Sequence, residues 1–114
     1  MTITESNVTI MVSDMDKAVS FYQMLGLTIK NRWENHYAQL VTKDIIIGLH
    51  PAHGEVKPSS QVSIGFMIDN IAEAETLLTS HNVTFERNDD KSGIYINFKD
   101  PDGTALYFTQ PKWR

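Results

Sequence analysis

The chain contains no cysteine, which excludes both disulfide staples and thiolate nucleophiles. Positive charge is thin as well. Ten Lys and Arg face fourteen Asp and Glu, for a formal net charge of -4, and no basic cluster exceeds two or three residues. Binding of nucleic acid through a basic face is therefore not expected. No apolar run approaches the length needed to span a membrane. The first residues, Met1-Thr-Ile-Thr-Glu-Ser6, lack the basic region and apolar stretch of a secretory leader. The expected location is the cytoplasm. No Gly-rich phosphate loop follows a strand, and Ser63 has no neighbouring His-Asp signature. What remains, at 41% hydrophobic and 21% charged over 114 residues, is the composition of one ordinary globular domain with a core of useful size.

The positive signal is repetition. Asn7-Val-Thr-Ile-Met-Val-Ser-Asp14 overlays Ser63-Ile-Gly-Phe-Met-Ile-Asp-Asn70 at an offset of 56 residues. Met11 falls on Met67, Asp14 on Asn70, Ala18 on Ala74, Gly26 on Asn82 and Thr28 on Thr84. In the first copy, Val8, Ile10 and Val12 alternate with Thr9, Met11 and Ser13, the pattern of a half-buried strand. Ser13 or Asp14 caps the helix that follows. Over residues 15–25, Met15, Ala18, Val19, Tyr22 and Leu25 recur at spacings of three and four, forming one apolar stripe that Phe21 widens. Gly26 supplies the left-handed residue that ends a helix. Strands are expected at Leu27–Trp33, Tyr37–Val41 and Ile45–His50. Residues 51–61 are rich in breakers and lack periodicity, as a linker does.

The second copy opens with a strand, then Asn70 as helix cap with Glu73 three residues on. Ala74, Leu77, Leu78 and His81 continue an inner stripe, and Asn82 tolerates the left-handed turn that Gly26 makes in the first copy. Strands are expected at Val83–Glu86, Gly93–Phe98 and Ala105–Thr109, with Asp100-Pro-Asp-Gly103 as a tight turn and Asp89-Asp90-Lys91 as a solvated loop. The fold class is thus α+β: two tandem βαβββ modules forming a curved, antiparallel-rich sheet with helices outside. The whole chain, 1–114, reads as a single domain with module one at about 7–50, a linker at about 51–61 and module two at about 62–110. Neither copy can bury both faces of its sheet, so the face away from each helix is left for a partner copy or a ligand, and the site is expected where the copies meet.

Three stretches carry a family resemblance. They are Val8-Thr-Ile-Met-Val-Ser-Asp-Met-Asp-Lys-Ala-Val-Ser-Phe-Tyr22, then Leu25-Gly-Leu27, and Phe98-Lys-Asp-Pro-Asp-Gly-Thr-Ala-Leu-Tyr-Phe-Thr-Gln-Pro111. Together they resemble the vicinal oxygen chelate superfamily of glyoxalase I, extradiol dioxygenases and bleomycin-resistance proteins, over about residues 7–111. The resemblance implies a homodimer with paired modules. It also implies four metal-ligand positions, which here hold Asn7, His50, Ser63 and Tyr107. An amide, a hydroxyl and a phenol do not replace two imidazoles and a carboxylate at a borderline divalent cation. No metal and no cofactor is therefore expected, and the resemblance is to the metal-free, bleomycin-resistance-like branch. That implies binding or sequestration of a small aromatic or amphipathic molecule, without catalysis. The alternative is a divalent-metal lyase, isomerase or dioxygenase with a nonstandard ligand set.

The resemblance, strand parity, the aromatics flanking the Glu34-Asn-His36 turn and the mid-strand amide of Gln39 together nominate the lining. Asn7, Gln39, Ser63 and Asn97 would supply polar contacts, and Trp33, Tyr37, His50, Tyr95 and Tyr107 the rings, with Thr9, Met11, Gly65 and Met67 on the same side. Three roles stay open for His50: a surviving metal ligand, a ligand contact or a plain strand-end residue. Trp33 and Tyr37 either rim a groove or brace their hairpin. Tyr107 either contacts a ligand or fills the space a metal would need. His36 is expected to be exposed, His81 structural, and Trp113 part of the tail.

Overall fold

A computed structural model describes residues 1–57 and 61–112. The tail residue Trp113 and linker residues 58–60 lie outside that range. The chain divides into two compact units, 1–57 and 58–114, each built on the same plan. The first runs β1 (Val8–Val12), α1 (Met15–Met24), β2 (Thr28–Trp33), β3 (Tyr37–Val41) and β4 (Ile46–Pro51). The second runs β5 (Ser63–Met67), α2 (Ile71–Ser80), β6 (Glu86–Asp89), β7 (Gly93–Lys99) and β8 (Ala105–Pro111). Hydrogen bonding orders the strands β1-β4-β3-β2 and β5-β8-β7-β6. In each sheet one pair is parallel, β1 with β4 and β5 with β8, and the others are antiparallel.

Both helices are ten residues long, too short to persist alone in water, so caps and packing must hold them. Asp14 accepts a hydrogen bond from the Lys17 amide at 3.1 Å, and Asn70 accepts one from the Glu73 amide at 3.2 Å. Asp14 is thus the cap of α1. At the far ends Gly26 (φ 111°) and Asn82 (φ 58°) take the left-handed conformation that the sequence demands of them.

In the first unit Met15, Ala18, Val19 and Tyr22 of α1 are buried, as are Ile10, Val12, Ala38, Leu40, Ile47 and Leu49 of the sheet. In the second, Ile71, Ala74 and Leu78 of α2 are buried with Ile64, Ile96, Phe98, Leu106 and Phe108. The Phe98 and Phe108 rings stack at 5.0 Å. Full burial of a side chain such as Leu78 contributes about 1.5–3 kcal/mol. An arginine also ties each edge strand to its helix: Arg32 to Asp16 at 2.5 Å and Arg87 to Glu75 at 2.6 Å. Both pairs are partly exposed, and each is worth at most about 1 kcal/mol.

Three local expectations are corrected. The strand expected at Val83–Glu86 begins only at Glu86. The Val83 amide is taken by the Leu78 carbonyl at 2.9 Å, closing α2, and all four β6 side chains are exposed, so this edge strand has no alternation to read. His81 is exposed rather than on the inner stripe. Its Nδ1 lies 3.0 Å from the Leu77 carbonyl, satisfying a helix-end acceptor. Asp89 ends β6 instead of lying in a loop, and there it meets Lys112 Nζ at 2.6 Å.

The β6–β7 turn is organised by Asp90. Its Oδ1 accepts hydrogen bonds from the Ser92 hydroxyl at 2.6 Å, the Ser92 amide at 2.8 Å and the Gly93 amide at 3.3 Å. The Ser92 hydroxyl bond, followed by the Ser92 amide, holds the Asp90 carboxyl below its ordinary value of 3.8. A carboxyl depressed in the folded state stabilises the fold above the unfolded value, and that contribution is lost as pH falls through the folded one. The urea midpoint of Asp90→Asn should therefore lie further below that of the parent at pH 6 than at pH 2.5. An equal difference at both pH values would contradict this.

Candidate functional site

In a strand the side chains alternate, so covering one face of each sheet with a helix fixes the composition of the other. In the first unit that open face gathers five of the nominated residues. Trp33 and Tyr37 are cross-strand partners at the β2–β3 hairpin, and their rings stack at 5.7 Å with 23° between planes. The Tyr37 ring lies 6.5 Å from that of His50, and His50 lies 6.2 Å from His53. The four rings form a continuous row. Trp33 at its end is 53% exposed, so stacking on Tyr37 does not remove it from contact with other molecules.

A polar chain crosses the same face. Asn31 Nδ2 donates to Gln39 Oε1 at 3.0 Å, and Gln39 Nε2 points to Tyr37 Oη at 3.5 Å. Asn7 Nδ2 donates to the same phenol oxygen at 3.0 Å. Tyr37 stands on β3 and Asn7 precedes β1, with β4 between them. The phenol reaches across because β4 carries Gly48 beneath it: a Cβ there would collide with Tyr37 Oη and with Thr9 Oγ1. Asn31 and His53 were not nominated from the sequence. Asn31 stands two residues before Trp33 in regular pairing and so shares its face by simple alternation, while the β-bulge between Ile29 and Asn31 reverses the parity only of the residues before it.

In the second unit Ser63, Tyr95, Asn97 and Tyr107 likewise fall on the face away from α2. Tyr107 sits opposite Gly65 on β5 and opposite Asn97 on β7. Its ring occupies the space where a Gly65 side chain would be. Tyr95 lies 6.3 Å from Tyr107 by ring centroid. The Tyr95 hydroxyl is 2.8 Å from Ser92 Oγ, whose proton is directed to Asp90, so Tyr95 is the donor. Ser63 and Asn97 are exposed. Thr109, opposite Met67 and Tyr95, is 6% exposed, and among the described residues its Oγ1 has no hydrogen-bond partner. A recess of about 310 Å³ opens beside it, lined by Met67, Ile68, Asp69, Gln110 and Pro111.

The registers also bear on metal binding. Thr9 pairs with Gly48, and Gly65, its counterpart in the repeat, pairs with Tyr107. The first-module equivalent of Tyr107 is thus Gly48, not His50, which matches Thr109 instead. Asn7, Ser63, Tyr107 and either His50 or Gly48 offer at most one imidazole and no carboxylate, which does not fit a divalent cation. Among the described residues no three His, Cys, Asp or Glu side chains gather where they could hold an ion. No helix among them is long and apolar enough to cross a membrane.

The reach of Tyr37 over Gly48 is open to a direct check. Gly48→Ala should cost about 1–3 kcal/mol by overpacking. Since the phenol oxygen is the nearest obstacle, the cost should fall by at least half when measured in a Tyr37→Phe background. An equal cost in both backgrounds, by urea denaturation, would show that Tyr37 does not occupy that space.

The likeness to known structures extends over almost the whole chain. A bleomycin-binding protein solved with bleomycin shares 22% identity at a TM-score of 0.72, covering 95% of this chain and 98% of that one. The bleomycin resistance determinant encoded on transposon Tn5 shares 21% at 0.74, covering 96% and 99%. The fosfomycin resistance protein FosX from Listeria monocytogenes shares 16% at 0.82, covering 98% and 94%. At these identities the likeness is one of fold. No curated protein sequence matches. Residues 6–108 do match the family model, and with the repeated βαβββ plan this places the chain in the Glyoxalase/Bleomycin resistance protein/Dioxygenase superfamily.

Proposed function

We propose that this protein binds and sequesters a small aromatic or amphipathic molecule, without a metal ion and without breaking a bond in it. The observation that carries this reading is the row of rings Trp33–Tyr37–His50–His53 on the open face of the first sheet. A row of π faces with a hydrogen-bonded edge gives a flat apolar molecule both contact area and orientation. The side chains at the family's metal positions lack the donors a divalent ion requires, which weighs against the lyase, isomerase and dioxygenase chemistries of the superfamily.

Resistance to a toxic compound by sequestration is one way such binding would serve a cell, a reading supported by the likeness in fold to a bleomycin-binding protein and a bleomycin resistance determinant. The cytoplasm is the compartment this reading assumes. A homodimer is the assembly it assumes: Val8, Met11, Ile29 and Met67 are 40–53% exposed, and a second copy of the chain would cover such apolar surface.

N-phenyl-1-naphthylamine, a neutral aromatic probe that brightens on leaving water, tests the reading. The protein should bind it in the presence of excess EDTA. Trp33→Ala should weaken that binding roughly tenfold, near the upper range of one aromatic stacking partner. Binding that requires an added divalent ion, or that Trp33→Ala leaves unchanged, would refute it.

A further inference from the structure

The polarity of the hydrogen bonds on the first sheet narrows the ligand further, on the footing that the ring row is a binding surface. Tyr37 Oη only accepts from the side chains around it. Asn31 donates to Gln39 Oε1, which turns the Gln39 amide nitrogen toward the phenol, and Asn7 donates to the same oxygen. Among the described residues nothing accepts the Tyr37 proton in return.

His50 is in the complementary state. Its Nδ1 lies 2.8 Å from the Pro51 carbonyl, and a carbonyl can only accept, so Nδ1 carries the proton. In the neutral ring Nε2 then presents a lone pair, for which no described residue supplies a donor. Neighbouring rings on one face thus offer one free donor and one free acceptor. The cross-strand partners that meet on this face include no Asp, Glu, Lys or Arg, and Lys30, the extra residue at the β2 bulge, is matched by Glu5 at 2.7 Å. Among the described residues no unmatched charge on this face is left to compensate a charged ligand for its lost water.

We infer that this face selects neutral planar molecules carrying an acceptor and a donor side by side on one edge, as the C=O and N–H of a cyclic amide are. The Tyr37 hydroxyl donates to the ligand's carbonyl, His50 Nε2 accepts from its N–H, and Trp33 stacks on the ring system.

Matched probes test this: 2-quinolone, which has that edge, and 1-methyl-2-quinolone, which keeps the rings and carbonyl but has no N–H. Isothermal titration of the full chain should show 2-quinolone binding about tenfold more tightly, the size expected of a neutral hydrogen bond whose loss also strands a buried acceptor. Tyr37→Phe and His50→Phe keep both rings in the row, so each should still bind 1-methyl-2-quinolone. In His50→Phe the preference for 2-quinolone should vanish, and in Tyr37→Phe both probes should weaken together. Equal affinity of the two probes for the parent protein would overturn the donor–acceptor inference while leaving the aromatic platform standing. Binding of neither probe would overturn both.

Discussion

A missing Cβ governs the arrangement of this protein's first sheet. Tyr37 springs from β3 and must pass over β4 to reach Asn7 at the entrance of β1. Any side chain at position 48 would stand in its way. With glycine there, the phenol lies across the strand and accepts from Asn7 and Gln39. Its ring also falls between those of Trp33 and His50. The ring row and the phenol's place as acceptor of two amides both follow from that passage. The second unit uses the same device on the other strand of its parallel pair, where Gly65 on β5 makes room for Tyr107 on β8.

The repeat shows how one architecture carries two different surfaces. The helix-facing sides are alike: apolar stripes under a capped ten-residue helix, with an arginine on the edge strand bound to a carboxylate on the helix. The open sides have diverged. One holds amides and a row of four rings. The other holds a tyrosine pair, fixed at Tyr95 through Ser92 to the Asp90 turn. Packing demands keep the first kind of face similar, because an interior at crystal-like density tolerates little change in volume. The open face is under no such demand and can be rewritten residue by residue.

Much of this was legible in the sequence, for identifiable reasons. Period-2 alternation in Val8–Val12 and Tyr37–Val41, the caps Asp14 and Asn70, and the left-handed residues Gly26 and Asn82 are local signals, and each gives the element it should. Strand parity also put Asn7 and His50 on one face, while Tyr37 was legible as an aromatic beside a turn and Gln39 as a mid-strand amide. What escaped depends on pairing partners that the chain does not display locally. The bulge between Ile29 and Asn31 reverses the faces of Thr28 and Ile29 relative to Trp33. The edge strand Glu86–Asp89 has no buried side, hence no pattern. The equivalence of Gly48 with Tyr107 appears only once Thr9 and Gly65 are seen in register with them. His81 was misplaced because a helical stripe read past the last turn continues on paper after the backbone has turned away.

Under the proposed function, the family's scaffold here holds an organic molecule in place of a metal ion. Native mass spectrometry of the protein, purified gently from its own cells, tests it most directly. The expected result is a dimer with no divalent ion and an added organic mass. A species carrying about one divalent ion per chain would contradict it and return the protein to the metal-dependent chemistry of its superfamily.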